Sequence, residues 1–272
     1  MDVRRLSTND LVHSHERSLY TLVLLVSLVV YGVLIISAMA NPQTAAGILG
    51  YVAMFALAGF FVHALALGRI RGNGVLVSER QFPMVHQMVT RHAQRLGMSE
   101  PPTVYVLESG GILNAFATKL LGRRFVILNS DVLALAVRQG ESAVSFIVGH
   151  ELGHHWRGHL KYRWLTAPGR LFPYLGPAYS RACEYTCDRV GAFCEPDGAI
   201  NGLLLLAAGS WLYSQVDARE FAAQAEGDSG YWVRRAERVS THPRLPKRVA
   251  ALLALGVSNP KTQPQVVGNK AA

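Results

Sequence analysis

Two charge-free apolar runs, parted by a single Asn-Pro step, constrain this chain more than anything else in it. Residues 18–40 (Ser18 to Ala40) contain no Asp, Glu, Lys or Arg, and neither do residues 43–68 (Gln43 to Gly68), where His63 is the lone histidine. A helix rises about 1.5 Å per residue, so about 20 apolar residues cross a bilayer's hydrocarbon core of about 30 Å. Both runs are long enough, and Asn41-Pro42 supplies a tight turn between them. The pattern predicts a transmembrane helical hairpin over 18–68, an N-terminal segment over 1–17 and a folded body over 69–256. Two buried core helices are the alternative, but charge-free runs of this length are rare in soluble cores. Ala38-Met39-Ala40 resembles a signal-peptidase site. Against cleavage, the run before it exceeds the usual apolar stretch of about 7–15 residues and a second run follows directly.

Charge sets the orientation. Arg4, Arg5 and Arg17 precede the hairpin, Arg69, Arg71 and Arg80 follow it, and the connecting turn has none. Positive flanks stay inside, so both ends and the body are expected on the cytoplasmic face. The formal net charge of +9 suits a body resting on anionic lipid headgroups, making the bilayer an expected partner. Nucleic acid is the other partner a basic chain suggests; no basic run interleaved with aromatics supports it, and no nucleic-acid binding is expected. The three cysteines, Cys183, Cys187 and Cys194, form no disulfide framework and agree with a reducing compartment. Their spacing is not a standard zinc spacing, and they read as small buried side chains.

The body reads as mainly helical with a little sheet. Arg69 to Val77 is a Gly-containing linker. Pro83 to Gly97 is an amphipathic helix with Met84, Val85, Met88, Val89, His92 and Leu96 at helical spacing. Strands are expected at Thr103–Leu107 and Arg124–Leu128, the first running on into Gly110-Gly111. Ser130-Asp131 opens a helix that ends near Arg138. Residues 161–181 mix Tyr162, Trp164, Leu165, Phe172, Tyr174 and Tyr179 with Lys161, Arg163 and Arg170 around three prolines. Aromatics beside cations suit a membrane interface, and a buried irregular loop is the competing reading. Leu203 to Tyr213 is too short to span and reads as a buried helix. Residues 257–272 read as a disordered tail.

The chemistry is carried by His150-Glu151-Leu152-Gly153-His154, an H-E-x-x-H inside a run that reads as one helix. Residues four apart share a helix face, so His150 and His154 can grip one Zn2+ while Glu151 reaches a water on it. That is the arrangement for metal-assisted hydrolysis of a polypeptide. Ala143, Ile147, His150 and His154 fall on one inward stripe, and Gly149 and Gly153 would admit a closely packed neighbour. An extended motif with a third histidine would need Gly at 157 and His at 160, which are Arg157 and Leu160. His155 and His159 therefore read as solvated side chains or as groups behind the ligands. Glu184 and Asp188 stand four apart in a further helical run. Glu184 completes three protein ligands and leaves a fourth position open. Asp188 is placed to accept from a ligand imidazole and fix its tautomer.

With these motifs together the chain resembles the HtpX-like, CAAX-protease-like family of integral-membrane zinc metallopeptidases. Four pieces carry the likeness: Asn114-Ala115-Phe116-Ala117, the H-E-x-x-H, Glu184 with Asp188, and Thr241-His242-Pro243 followed by Arg248. The resemblance implies an α+β fold, a transmembrane helical hairpin followed by a mainly helical zincin-type metallopeptidase domain with a small β-sheet. It implies one zinc held by His150, His154 and Glu184, with Glu151 as general base. It places Asn114, Ala115, Phe116 and Ala117 by the strand that binds substrate. His242 would assist the oxyanion or plug the open zinc position, and Arg248 would pair with Asp188 or with substrate. Typical HtpX-type members carry a second pair of spans between the two ligand helices, whereas residues 155–183 hold no stretch long enough. Quality-control proteolysis of misfolded proteins and trimming of lipidated peptides are both compatible with this pattern. A non-catalytic zinc scaffold is the remaining alternative, and the intact Glu151 argues against it.

Overall fold

The computed structural model describes residues 10–108, 114–227 and 230–258. Arg4, Arg5, the Gly110-Gly111 step and the tail from 259 onward lie outside the described residues.

The two apolar runs form the longest helices, α1 (Ser14–Ala40) and α2 (Pro42–Asn73). Asn41 alone joins them. Its side-chain Oδ1 accepts from the N–H groups of Gln43 and Thr44, and Pro42 opens α2 where a missing N–H costs nothing. Both are long and apolar enough to cross a membrane. Their large side chains face outward: Leu25, Ile36, Phe55, Phe61 and Leu65 are each more than half exposed. Helix α2 runs past Gly68 through Arg69–Asn73, where a linker was expected. The break comes at Gly74, whose position against the Ile70 carbonyl leaves a Cβ only 2.6 Å of room.

A four-stranded mixed sheet follows: β1 (Val75–Leu76), β2 (Thr103–Leu107), β3 (Ala115–Leu120) and β4 (Arg123–Asn129), in the order β1-β2-β4-β3. β2 and β4 pair in parallel, and the outer pairs are antiparallel. β2 and β4 lie where alternation and β-branched residues place them. β3 forms a hairpin with β4 through Leu121-Gly122, both at positive φ. Two-residue hairpin turns require that backbone, normally supplied by Asn or Asp before Gly. A Leu at the first position hides the hairpin from a sequence reading.

The body is built around α5 (Ser142–Arg157). The expected stripe is buried or nearly so, but Val144, Phe146, Val148 and Leu152 are buried too. A helix apolar on all sides is enclosed rather than half-exposed. α3 (Pro83–Arg95) packs Val85, Met88 and Val89 into the same core, and α4 (Ser130–Gln139) joins β4 to α5. α7 (Leu175–Cys194) crosses α5 at short range: a Cβ at Gly149 would lie 2.9 Å from the Cys194 Cβ and 3.1 Å from the Gly191 Cα. A Cβ at Gly153 would lie 3.2 Å from the Cys187 sulfur. These two glycines let the helices that carry the candidate ligands approach closely.

α6 (Ala167–Leu171), α8 (Pro196–Leu212), α9 (Ala218–Gly227), α10 (Tyr231–Val239) and α11 (Leu245–Ala254) complete the body. Three readings need correction. Residues 161–181 are not one irregular segment, since α6 and the start of α7 lie within them; Pro168 and Pro177 sit in first turns, where no intrahelical N–H is lost. The run Leu203 to Tyr213 is buried at Leu203–Leu205 and again at Tyr213, while Leu206, Trp211 and Leu212 between them are exposed around a break at Gly209. Val257 is buried and its N–H donates to the Leu252 carbonyl, so the body extends past 256.

Candidate metal centre

The geometry at α5 and α7 brings three donors to one point. His150 Nε2 lies 3.4 Å from Glu184 Oε2, and His154 Nε2 lies 3.4 Å from Glu184 Oε1. Two donors bound at about 2.0–2.1 Å to one tetrahedral ion stand about 3.4 Å apart, so this nitrogen and carboxylate set fits zinc. All three residues are held in the core, with His154 the least buried.

Behind His150 stands a carboxylate. His150 Nδ1 lies 3.0 Å from Asp188 Oδ1, one turn along α7 from Glu184. Arg248, from the second turn of α11, donates to the same carboxylate twice, Nε to Oδ2 at 2.8 Å and Nη2 to Oδ1 at 2.6 Å. Of the two partners open to Arg248 in the sequence, the structure therefore places it on Asp188; its Nη2 also lies 3.7 Å from Glu184. Burial opposes ionisation of Asp188, but Arg248 and His150 outweigh it and hold the carboxyl below its usual range. The same contest, with both imidazoles as partners, holds Glu184 well below its usual value. Burial would lower His150, yet Asp188 and Glu184 push it up to about 10. In this charge balance the pocket attracts a proton or a metal cation to the imidazoles.

A small cavity of about 100 Å³ opens over His150 and Glu184, lined also by Asn114, Ala115, Ile147, Glu151, His242 and Arg248 among others, while His154 does not line it. Glu151 is buried and lines it. His242 stands on an exposed loop before α11; its Nε2 is 3.6 Å from Glu184 Oε1, and its Nδ1 is 3.1 Å from the Thr241 hydroxyl. From the strand, Asn114 and Ala115 reach this cavity but Phe116 and Ala117 do not line it. Strand alternation sends Phe116 to the other face, where it is partly exposed, and carries Ala117 further along. β3 bonds only to β4, which leaves its other edge unpaired among the described residues.

Three further groups stand near the centre: His155 and His159, for which solvated and supporting places were both open in the sequence, and Glu16, which escaped the sequence reading. His155 is buried and hydrogen-bonds the Phe125 carbonyl, tying α5 to β4. His159 is buried as well, with Nδ1 3.1 Å from His154 Nδ1. A solvated role for either is overturned. Gly158 takes a left-handed conformation that ends α5 and turns His159 back onto it. Glu16, in the first turn of α1, is buried beside Arg157, His159 and Thr186. It is the only carboxylate between Asp10 and Glu79, and that isolation ahead of an apolar run was the available signal. All three cysteines are buried and free. The Cys187 sulfur also lies within 4.8 Å of donor atoms of His150 and His154. It neighbours His159 Nδ1 at 3.8 Å, and burial, with the Glu184 charge, pushes its thiol well above the usual value. Glu184 faces the free Nε2 atoms and is the better third donor.

Residues 79–175 match the family model of peptidase family M48, a stretch that includes α3, strands β2, β3 and β4 and the H-E-x-x-H helix. Glu184, Asp188, His242 and Arg248, which the motifs had singled out, lie beyond the matched stretch. No curated protein and no solved structure matches the chain. Residues 79–175 are thus similar to peptidase family M48, in line with the HtpX-like resemblance, and this stretch holds the H-E-x-x-H helix but stops at the first residue of α7.

Proposed function

We propose that the chain is a membrane-anchored zinc endopeptidase that cleaves extended or misfolded polypeptides at the cytoplasmic face. The observation that carries this reading is the convergence of His150, His154 and Glu184, with His150, Glu184 and the buried Glu151 lining a cavity that reaches Asn114 and Ala115 at the start of β3. A zinc ion held by the three donors would acidify a bound water and polarise the scissile carbonyl. Glu151 takes the proton of the attacking water and returns it to the leaving amine. His242, on its exposed loop, is placed to donate to the developing oxyanion. An extended substrate adds to β3 by main-chain hydrogen bonds, so a folded protein without a free segment is a poor substrate.

The membrane reading rests on α1, α2 and the segment packed against them. The Gly169 N–H donates to Ser27 Oγ, Tyr31 Oη donates to the Trp164 carbonyl, and a Cβ at Gly169 would lie 2.1 Å from the Val23 carbonyl. Ser27 and Tyr31 are polar residues inside an apolar run, and they satisfy backbone groups that lipid cannot. Tyr31 stands thirteen residues beyond Ser18, about 20 Å along the helix. Residues 162–172 therefore reach deeper than the headgroup layer, with Trp164, Leu171 and Phe172 exposed to acyl chains.

Zinc content measured with casein cleavage tests the catalytic reading, on detergent-purified wild type, Glu151→Gln and His154→Ala. One zinc in wild type and Glu151→Gln, cleavage by wild type alone, and loss of zinc in His154→Ala are expected. Zinc in the first two with cleavage equal in both removes Glu151 from the mechanism.

A further inference from the structure

The two imidazoles of the candidate zinc site are supported differently from behind. His150 meets a carboxylate directly, through Nδ1 and Asp188. His154 meets another ring, with Nδ1 3.1 Å from Nδ1 of His159. Two ring nitrogens at that distance share one hydrogen. If His154 gives its Nε2 lone pair to a metal, a neutral ring must carry its hydrogen on Nδ1. His154 then donates, His159 Nδ1 accepts, and the His159 hydrogen sits on Nε2. That atom lies 3.5 Å from Glu16 Oε1 and has no other partner. Glu16 is buried; Arg157 Nε lies 2.7 Å from its Oε1, and the Thr186 hydroxyl donates to its Oε2. Thr186 stands two residues after Glu184 on α7, so that helix presents the ligand and also fixes the distant carboxylate.

We propose that Glu16 and His159 are positioning residues for the metal, forming a row Glu16–His159–His154 that orients His154 and fixes its tautomer. The inference rests on reading His150, His154 and Glu184 as the zinc ligands. Its consequence is that the first turn of α1, at the root of the membrane hairpin, belongs to the metal centre. A carboxylate behind a ligand histidine tightens metal binding, and its loss typically weakens it about 10–100-fold. Here the carboxylate acts through one intervening ring. Glu16, His159 and Cys183 also place donor atoms within 4.8 Å of one another, which raises a second cation as the alternative. Arg157 already sets a positive charge against Glu16, and this disfavours a further cation there.

The test is Co2+ and Zn2+ titration of the full chain in micelles, with chelator competition for affinity and the visible Co2+ spectrum for ligand geometry. Glu16→Gln and His159→Phe are expected to raise the metal dissociation constant about 10-fold or more, to alter the Co2+ bands and to keep one metal per chain. His159→Asn returns an acceptor oxygen near the Nδ1 position and is expected to recover most of the affinity lost in His159→Phe. His154→Ala is the reference. If it loses the metal while Glu16→Gln and His159→Phe bind as wild type does, the positioning row is wrong and the zinc reading stands. If His154→Ala keeps wild-type affinity, the zinc reading falls and the row with it. Two metals in wild type, dropping to one in Glu16→Gln, would overturn the proposal in favour of a second cation site. Should Glu16→Gln fail to fold, the contrast between His159→Asn and His159→Phe decides alone.

Discussion

Arg248 and Asp188 meet through two parallel hydrogen bonds in a place almost closed to water, so neither charge can be removed singly at small cost. Arg248→Met leaves Asp188 buried without its cation and is expected to destabilise the fold by about 3–5 kcal/mol, as breaking a buried ion pair does. Chemical unfolding in micelles would show it, and Arg248→Lys should recover little because an ammonium cannot reproduce the fork. A second prediction concerns pH. His92 is buried on α3 with Nε2 2.9 Å from the Ser145 hydroxyl, and burial, with the Arg91 and Arg95 charges, lowers it to about 4. The folded state resists its protonation while the unfolded state accepts a proton near the usual value of about 6.5. The stability this group allows is full above about 6.5 and is lost as pH falls from there towards 4. His92→Gln should flatten the unfolding free energy over that interval; an unchanged slope would remove His92 as the cause. At this scale the approach of His150, His154 and Glu184 was legible because a helix repeats every turn. Which of the two places open to His159 it takes was not, since that depends on a left-handed glycine that breaks the repeat.

Between elements, the close seam of α5 with α7 runs through glycine. A Cβ at Gly191 would fall 2.8 Å from the Phe146 ring and 2.9 Å from the Phe146 carbonyl, and backbone cannot swing aside as a side-chain tip can. Gly191→Ala is expected to cost about 1–3 kcal/mol of stability and to weaken metal binding by separating α5 from α7. Gly32→Ala on α1 has open space around it and serves as the control, with no loss expected. Thermal unfolding followed by helix signal compares the two. The requirement for a close neighbour was readable from Gly149 and Gly153 on the H-E-x-x-H helix, but not the identity of that neighbour. The hairpin of β3 with β4 went unread because Leu121 occupies a backbone conformation seldom given to leucine. The outer half of α8 was read as buried because composition reports apolarity, while exposure depends on what packs outside.

For the molecule as a whole, the two long apolar helices were plain from composition, whereas their junction with the body was not. Contacts such as Tyr31 with Trp164 and Glu16 with Arg157 join residues more than a hundred positions apart, and no local pattern announces them. The positive flanks predict that the turn at Asn41 lies outside and the body inside. Gln43→Cys should react with a membrane-impermeant maleimide in intact cells, and a fluorescent protein fused at the C-terminus should stay bright. Silence at position 43 together with a dark fusion would invert the orientation. The place where Glu16 meets His159 has one more consequence. Coupling between two sites is reciprocal: whatever factor the root of α1 adds to zinc affinity, zinc returns to the stability of that root. Amide exchange in the first turn of α1 should slow when metal binds. A zinc-starved chain would then loosen where it enters the bilayer, so that metal supply and the lifetime of the anchored protein become one variable.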